Sequence, residues 1–313
     1  MAILIDPPMW PAHGTLWSHL ISDRSYAELH DFARLLSLPR RGFDLDHYDV
    51  PASLHTRAIE LGATPVDSRE VVRRLRTAGL RVKAATRAAV RPARRAEYLR
   101  GEWVRLASLP GLEVAAQNQD EWLELGASLL ARWNEPHRRY HDELHLEDVL
   151  LALDHLTVRG EDVGAASLLA AWFHDAIYAG VAGSDEADSA ALATTSLARI
   201  GAAPEITRDV AEIVIATTPE FATREATAGA AHLLDADLSI LGAGTSRYLQ
   251  YTQAVRHEYT HIPEPDFRRG RATILNRYLA LASIYRTHTG RTLWEERARA
   301  NLAAEISRLE LDA

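Results

Sequence analysis

Three histidines in this chain are each followed directly by an aspartate: His30-Asp31, His141-Asp142 and His174-Asp175. An imidazole beside a carboxylate can pass a proton or hold a cation. With fourteen histidines and many aspartates, though, about one such pair arises by chance. The surroundings must therefore decide. His174-Asp175 lies in the apolar stretch AAWFHDAIY, which would carry the pair into the interior of a fold. Burial of both groups is costly unless something satisfies them, and a metal ion does so while keeping the carboxylate charged. Neighbouring side chains on a helix point about 100 degrees apart, so both reach one ion only where a helix ends or lies beside it. The remaining donors must come from other helices.

Two other stretches can supply those donors. Upstream, RRYHDELHLEDVLLALDHL offers His141 and His145, one turn apart on one helix face. Downstream, HLLDADLSILG sets Asp235 and Asp237 among Leu233, Leu234, Leu238, Ile240 and Leu241, where carboxylates are hard to bury without a cation. At a spacing of two, these carboxylates face nearly opposite ways, so one of them is expected as a primary ligand. The chain has no cysteine, which excludes disulfides, thiolate catalysis and sulfur-ligated zinc. Nitrogen and oxygen must hold any metal.

Other residues have competing readings. Asp185 and Glu186, in GSDEADSAA, can act as a general base or position an attacking water, or can simply sit in the first turn of a helix as caps. Arg269 and Arg271, in DFRRGRA, can grip a phosphate, or can be surface arginines. His257 and His261 have metal-pair spacing but no apolar frame, so they read as surface histidines. His232 is five residues from Asp237, a poor offset for sharing an ion.

The elements that must position these groups follow from periodicity. From about Gln119 onward the sequence carries apolar residues at three- and four-residue spacing with almost no strand signal, which predicts an all-α domain over 119–313. Residues 1–85 differ. Ile3 to Ile5 reads as a short strand closed by Asp6-Pro7-Pro8, and Ser25 with Glu28 has capping-box spacing before the stripe Leu29, Phe32, Ala33, Leu35, Leu36. A second helix begins near Ser68, with Val71, Val72 and Leu75 inward and Gly79 as its stop. This predicts a small α/β domain ahead of the helical one. Residues 86–118 are arginine-rich and read as a linker or solvated helix.

Composition bounds the rest. Of 313 residues, 47% are hydrophobic and 25% charged, as in ordinary globular proteins, and the length suggests two domains. No segment approaches the roughly 20 apolar residues of a membrane helix, and no leader pattern opens the chain, so a cytoplasmic protein without a membrane partner is expected. Residues 1–118 carry 17 basic against 13 acidic side chains, and the remainder 18 against 30. The acidic half argues against nucleic acid as an obligate partner, while the mildly basic half leaves weak anion or nucleic-acid binding open. Self-association into a homo-oligomer also stays open.

His145, His174-Asp175 and Asp237, spread over helices of an all-α domain, resemble the HD superfamily of metal-dependent phosphohydrolases. The finer texture is similar to one uncharacterised branch of predicted HD phosphohydrolases: RRYHDELH, AAWFHDAIY, DEADSA, LLDADLSILG, Tyr251, Arg256-His257-Glu258-Tyr259 and Arg269-Gly270-Arg271. The resemblance implies that His145, His174, Asp175 and Asp237 ligate one divalent ion, with His141 lining the site. Asp237 is preferred to Asp235 because Ala236-Asp237-Leu238 is similar to the family's Ala-Asp-x motif. Two imidazoles and two carboxylates suit Mn, Fe, Mg, Zn, Co or Ni. Such an ion would activate water to hydrolyse the phosphate ester of a small metabolite or a nucleotide. The alternative is a catalytically idle module that binds metal or nucleotide to regulate a partner.

The first domain has its own polar crowd: His13, His19, His30, Asp44, Asp46, His47 and Asp49. Its strings IDPP-W-PAHG, WSHL-SD-SYAELH and DHYDVP resemble a domain family of unknown function, found alone or fused to other domains. A second polar site for metal or nucleotide and a set of loop histidines with turn-forming aspartates are both compatible with them. His30-Asp31, in mid-helix, reads as incidental.

Overall fold

The alternation of Ile3, Leu4 and Ile5 sends side chains to opposite faces of a strand, and this organises the first unit in the computed structural model, which describes residues 2–12, 14–112, 118–181, 184–218 and 226–311. Strand β1 (Ile3–Ile5) pairs antiparallel with β3 (Thr15–Ser22), which also pairs with β2 (Trp10–Ala12) and β4 (Tyr48–Pro51). A two-residue β5 (Thr64–Pro65) adds to β1 in parallel. Ile3, Ile5 and Leu20 meet Leu29 and Phe32 of α1 (Tyr26–Leu35) and Ala58 of α2 (Ala52–Glu60). Leu4 and Ile21 meet Val71 and Leu75 of α3 (Ser68–Thr77) on the other face. The result is the expected small α/β unit. The Ser25 hydroxyl accepts the Glu28 amide as the capping spacing requires, and Gly79 closes α3 with φ +70, a conformation that favours glycine.

The arginine-rich segment is mostly helix. Helix α4 spans Arg87–Leu106, and the two compact units divide inside it, between Glu97 and Tyr98. Its C-terminal half is no mere linker, because Tyr98, Leu99, Trp103 and Leu106 are buried in the core of the second unit. Trp103 stacks on Trp122 of α5 (Gln119–Trp133) with centroids 4.2 Å apart, and each indole N–H donates to the other's backbone carbonyl at 2.8 and 3.0 Å.

The described remainder of the second unit is helical, as the periodicity predicts. It comprises α6 (Glu143–Val158), α7 (Ala165–Phe173), α8 (Ser184–Arg199), α9 (Pro204–Ala216), α10 (Ala228–Asp237), α11 (Thr245–Glu258), α12 (Glu264–Ala280) and α13 (His288–Leu311). Helix α7, AASLLAAWF, is apolar almost all round and is accordingly central, packed by α6, α9 and α10. Among the described residues no helix is long and apolar enough to cross a membrane.

Candidate metal centre

Three helix termini converge on one point. Helix α6 starts at Glu143 because the Asp142 carboxylate accepts the amides of Leu144 and His145, at 2.8 and 3.3 Å, and this brings His145 into the first turn. His141 therefore precedes the helix and does not share its face with His145, as the spacing had suggested. Helix α7 ends at Phe173, so His174 is its C-terminal cap and Asp175 lies in the turn beyond, where both can address one centre. Asp237 is the last residue of α10.

The donor atoms cluster tightly. His145, His174 and Asp175 each present one within 4.8 Å of the others. The two Nε2 atoms are 3.3 Å apart, and Asp175 Oδ2 is 3.3 Å from His174 Nε2 and 3.7 Å from His145 Nε2. Asp237 stands just outside this trio yet touches both imidazoles, with Oδ1 3.1 Å from His145 Nε2 and 4.0 Å from His174 Nε2. The imidazoles are 1% exposed, whereas Asp175 and Asp237 retain 20% and 27%, so the carboxylates face the open side.

The electrostatics favour a positive charge there. His174 Nδ1 donates to the Ala171 carbonyl at 2.9 Å, which leaves its Nε2 directed at His145. Burial opposes charge on His174, but the Asp175 and Asp237 carboxylates outweigh it and push its pKa up to about 9. Burial likewise opposes the Asp175 charge, and His174, His141 and His145 overcome it, holding that carboxyl well below its usual range. The donor set fits a metal. Separations of 3.1–4.0 Å between the imidazoles and carboxylates match donors that share one ion at about 2.0–2.2 Å.

A second network holds His141 beside this cluster. Its Nδ1 lies 2.7 Å from Glu258 Oε2, which also accepts the Tyr178 hydroxyl at 3.0 Å. Glu258 Oε1 accepts three consecutive amides, from Arg139, Tyr140 and His141, at 2.7, 2.8 and 3.0 Å. Burial works against the Glu258 charge, but His141 and these amides prevail and lower its pKa to about 2. In turn His141, whose burial disfavours protonation, is raised by Glu258 and by Asp175. Buried Arg138 fixes the turn after α7 by donating to the carbonyls of Asp175, at 2.7 Å, and Ala176, at 3.2 Å. Beyond the place of Arg138 in RRYHDELH and of Glu258 in Arg256-His257-Glu258-Tyr259, nothing local in the sequence marks these two residues as part of the site.

A cavity of about 350 Å³ adjoins His141, with walls that include Tyr140, Tyr251, Tyr259, Phe267 and Arg271. Its charged wall departs from the sequence reading. Arg269 is 73% exposed and paired with Asp266, so it is a surface arginine and not a phosphate grip on this wall. Arg271 does line the cavity but is committed to Glu305, at 2.8 Å, and to the Tyr251 hydroxyl, at 2.9 Å.

The remaining candidates lie elsewhere. Asp235 points away from the cluster, fully buried, and accepts the amides of Arg286 and Thr287, at 2.7 and 2.8 Å, and the Thr287 hydroxyl, at 2.7 Å. It ties down the segment before α13 and is not a site-lining group. Asp185 Oδ2 accepts the amides of Ala179, Gly180 and Val181 at 3.0, 2.7 and 2.9 Å, so this oxygen clamps the loop before α8. Glu186 follows it, half-buried in the first turn of α8 and outside the tight donor group. His232 Nε2 lies 3.5 Å from Glu161, and His257 and His261 are exposed.

In the first unit His13 lies outside the described residues, and Asp31 is an exposed partner of Arg34. His30 Nδ1 lies 3.0 Å from the Tyr48 hydroxyl and 3.1 Å from Arg40, and Asp44 pairs with Arg87.

Residues 3–78 match a family model described as a protein of unknown function, DUF4031. This accords with the resemblance of the first unit to a domain family of unknown function. No curated protein and no solved structure matches the chain.

Proposed function

We propose that the helical unit is a metal-dependent phosphohydrolase of the HD type, acting on a phosphate ester of a small metabolite or nucleotide. The observation that carries this reading is the convergence of His145, His174, Asp175 and Asp237 from three helices, with buried imidazole nitrogens 3.3 Å apart and partly exposed carboxylates beside them. A divalent ion held there would polarise a phosphoryl oxygen and bring the pKa of a water toward neutrality. His232 is engaged with Glu161, which favours one ion over two.

The chain's own residues supply the rest. His141, whose pKa Glu258 raises against the effect of burial and which lies close enough to Asp175 to influence its charge, is placed to give a proton to the departing oxygen. The cavity beside it suits a ring-bearing leaving group such as a nucleoside, since its walls are aromatic and its volume of about 350 Å³ falls within the range of small-molecule sites. Arg271 serves there as a charge-balanced wall, because an incoming phosphate must compete with Glu305 for its guanidinium. Glu186, next to the Asp185 clamp, is the remaining candidate for positioning the attacking water.

One preparation tests this. Metal content and hydrolysis of a panel of nucleotides and sugar phosphates are measured for wild type, Asp175→Ala and His141→Ala. The reading requires turnover and a metal ion at the helical centre in wild type, loss of turnover together with one equivalent of metal in Asp175→Ala, and loss of turnover with metal retained in His141→Ala. Wild type that carries metal and binds one panel member tightly, yet cleaves none, would instead identify an idle binding module.

A further inference from the structure

Away from the helical unit, the register of the first sheet sets His19 of β3 directly opposite Asp49 of β4. His47 immediately precedes that strand, its ring edge-on to His19 with centroids 4.9 Å apart. His19, His47 and Asp49 each offer one donor atom within 4.8 Å of the other two, with His47 Nε2 3.5 Å from Asp49 Oδ1.

What distinguishes this trio from loop histidines is what stands behind each ring. His19 Nδ1 lies 2.9 Å from Asp6 Oδ2, and His47 Nδ1 lies 2.7 Å from Asp46 Oδ1. Both carboxylates are wholly buried, and each is fixed from elsewhere. Asp6 accepts the Ser68 hydroxyl at 2.7 Å and the His19 amide at 2.5 Å, while Asp46 accepts Arg81 at 2.8 Å and the Val82 amide at 2.6 Å. With its Nδ1 proton given to a carboxylate, each imidazole is oriented and keeps the Nε2 lone pair for a third party. Metal-ligating histidines are commonly supported in this way. The open side is also in place, since Asp49 is 48% exposed, His19 28% and His47 13%. The indole of Trp10 stands beside His19, with ring centroids 5.2 Å apart.

We infer that the first unit carries its own cation site, in which His19, His47 and Asp49 bind one divalent transition-metal ion and Asp6 and Asp46 orient the two imidazoles. Two nitrogens and one oxygen suit a borderline ion such as Zn, Fe(II), Co or Mn. Three protein donors leave coordination positions open to water or to an exogenous anionic ligand.

The test uses the full chain with the helical centre disabled by His145→Ala and Asp175→Ala, so that one site is read alone. After loading with Co(II) and desalting, this double variant should retain one equivalent of cobalt with visible absorption bands. Adding His47→Ala or the half-exposed Asp49→Ala should abolish both signals, with the circular dichroism of the folded chain retained. Adding Asp6→Asn should weaken cobalt binding about 10- to 100-fold. A double variant that retains no cobalt overturns the inference, as does full retention after both His47→Ala and Asp49→Ala. The proposed phosphohydrolase centre is judged separately. Two equivalents in wild type against one in the double variant support both sites, and one in each refutes only the helical one.

Discussion

His145 Nε2 and His174 Nε2 face each other at 3.3 Å, a separation at which a proton or a shared cation between them relieves the opposition of two lone pairs. A cation that binds only the folded state raises stability by ~2.7 kcal/mol when present at a hundred times its dissociation constant. Thermal unfolding of the helical unit should therefore shift upward with added Mn(II) or Co(II) and fall back with a chelator. Asp237→Ala should remove most of this response. Asp235→Asn should instead lower the melting temperature whether or not metal is present, because that side chain serves the Arg286–Thr287 backbone.

Glu258 is the carboxylate partner of His141 beside this centre. Its two oxygens accept three amides, the Tyr178 hydroxyl and His141, while its side chain is only 3% exposed. Glu258→Ala strands all of these, and removal of one partner of a buried pair typically costs about 3–5 kcal/mol. Glu258→Gln keeps an acceptor for the amides and loses the charge, so a smaller loss of about 1–3 kcal/mol is expected. Urea unfolding of the two variants should preserve that order, and equal losses would show that charge matters little at this position.

These two residues also mark what could be read in advance. The helical half, the small α/β unit and the convergence of His174-Asp175 with an upstream histidine and a downstream aspartate all follow from periodicity and from polar groups lodged in apolar frames. Such signals are local. The choice between Asp235 and Asp237 is not, because the partners of Asp235 lie more than fifty residues further on, as the 51- and 52-residue separations show. The same holds for Glu258, 117 residues from His141 and indistinguishable in sequence from a solvated residue at a helix end. For Asp185 the signal is ambiguous in the other direction, because an acidic residue in the first turn of a helix reads equally as a cap and as a base. One of its oxygens closes the preceding loop by accepting three amides.

In the first unit His30 makes stability depend on acid. Burial, together with Arg40, Arg34 and Arg94, lowers its pKa from 6.5 to about 3. The unfolded chain therefore binds a proton there that the folded one refuses, so stability is complete above pH 6.5 and is lost as pH falls from 6.5 toward about 3. His30→Phe removes this proton uptake. The difference in unfolding free energy between variant and wild type should move in favour of the variant across that window and flatten outside it. A difference independent of pH would mean that His30 titrates in the fold as it does in the unfolded chain.

Arg269 and Arg271 differ by two residues on α12 and should behave as unlike as their surroundings. Arg269 is exposed on Asp266, so Arg269→Ala should leave stability within about 0.5 kcal/mol and leave any turnover unaffected. Arg271 is 10% exposed against a Glu305 that is 7% exposed, and Arg271→Ala leaves that carboxylate buried without its cation, at about 3–5 kcal/mol. Loss of turnover in this variant would not by itself assign Arg271 to the substrate, since Tyr251 and Tyr248 share the same network. The double variant Arg271→Met with Glu305→Leu separates the roles. It replaces the pair with apolar groups of similar volume and should recover much of the lost stability. A stable double variant with weakened substrate affinity would place the Arg271 charge on the phosphate. Unchanged affinity would restrict Arg271 to holding the aromatic wall.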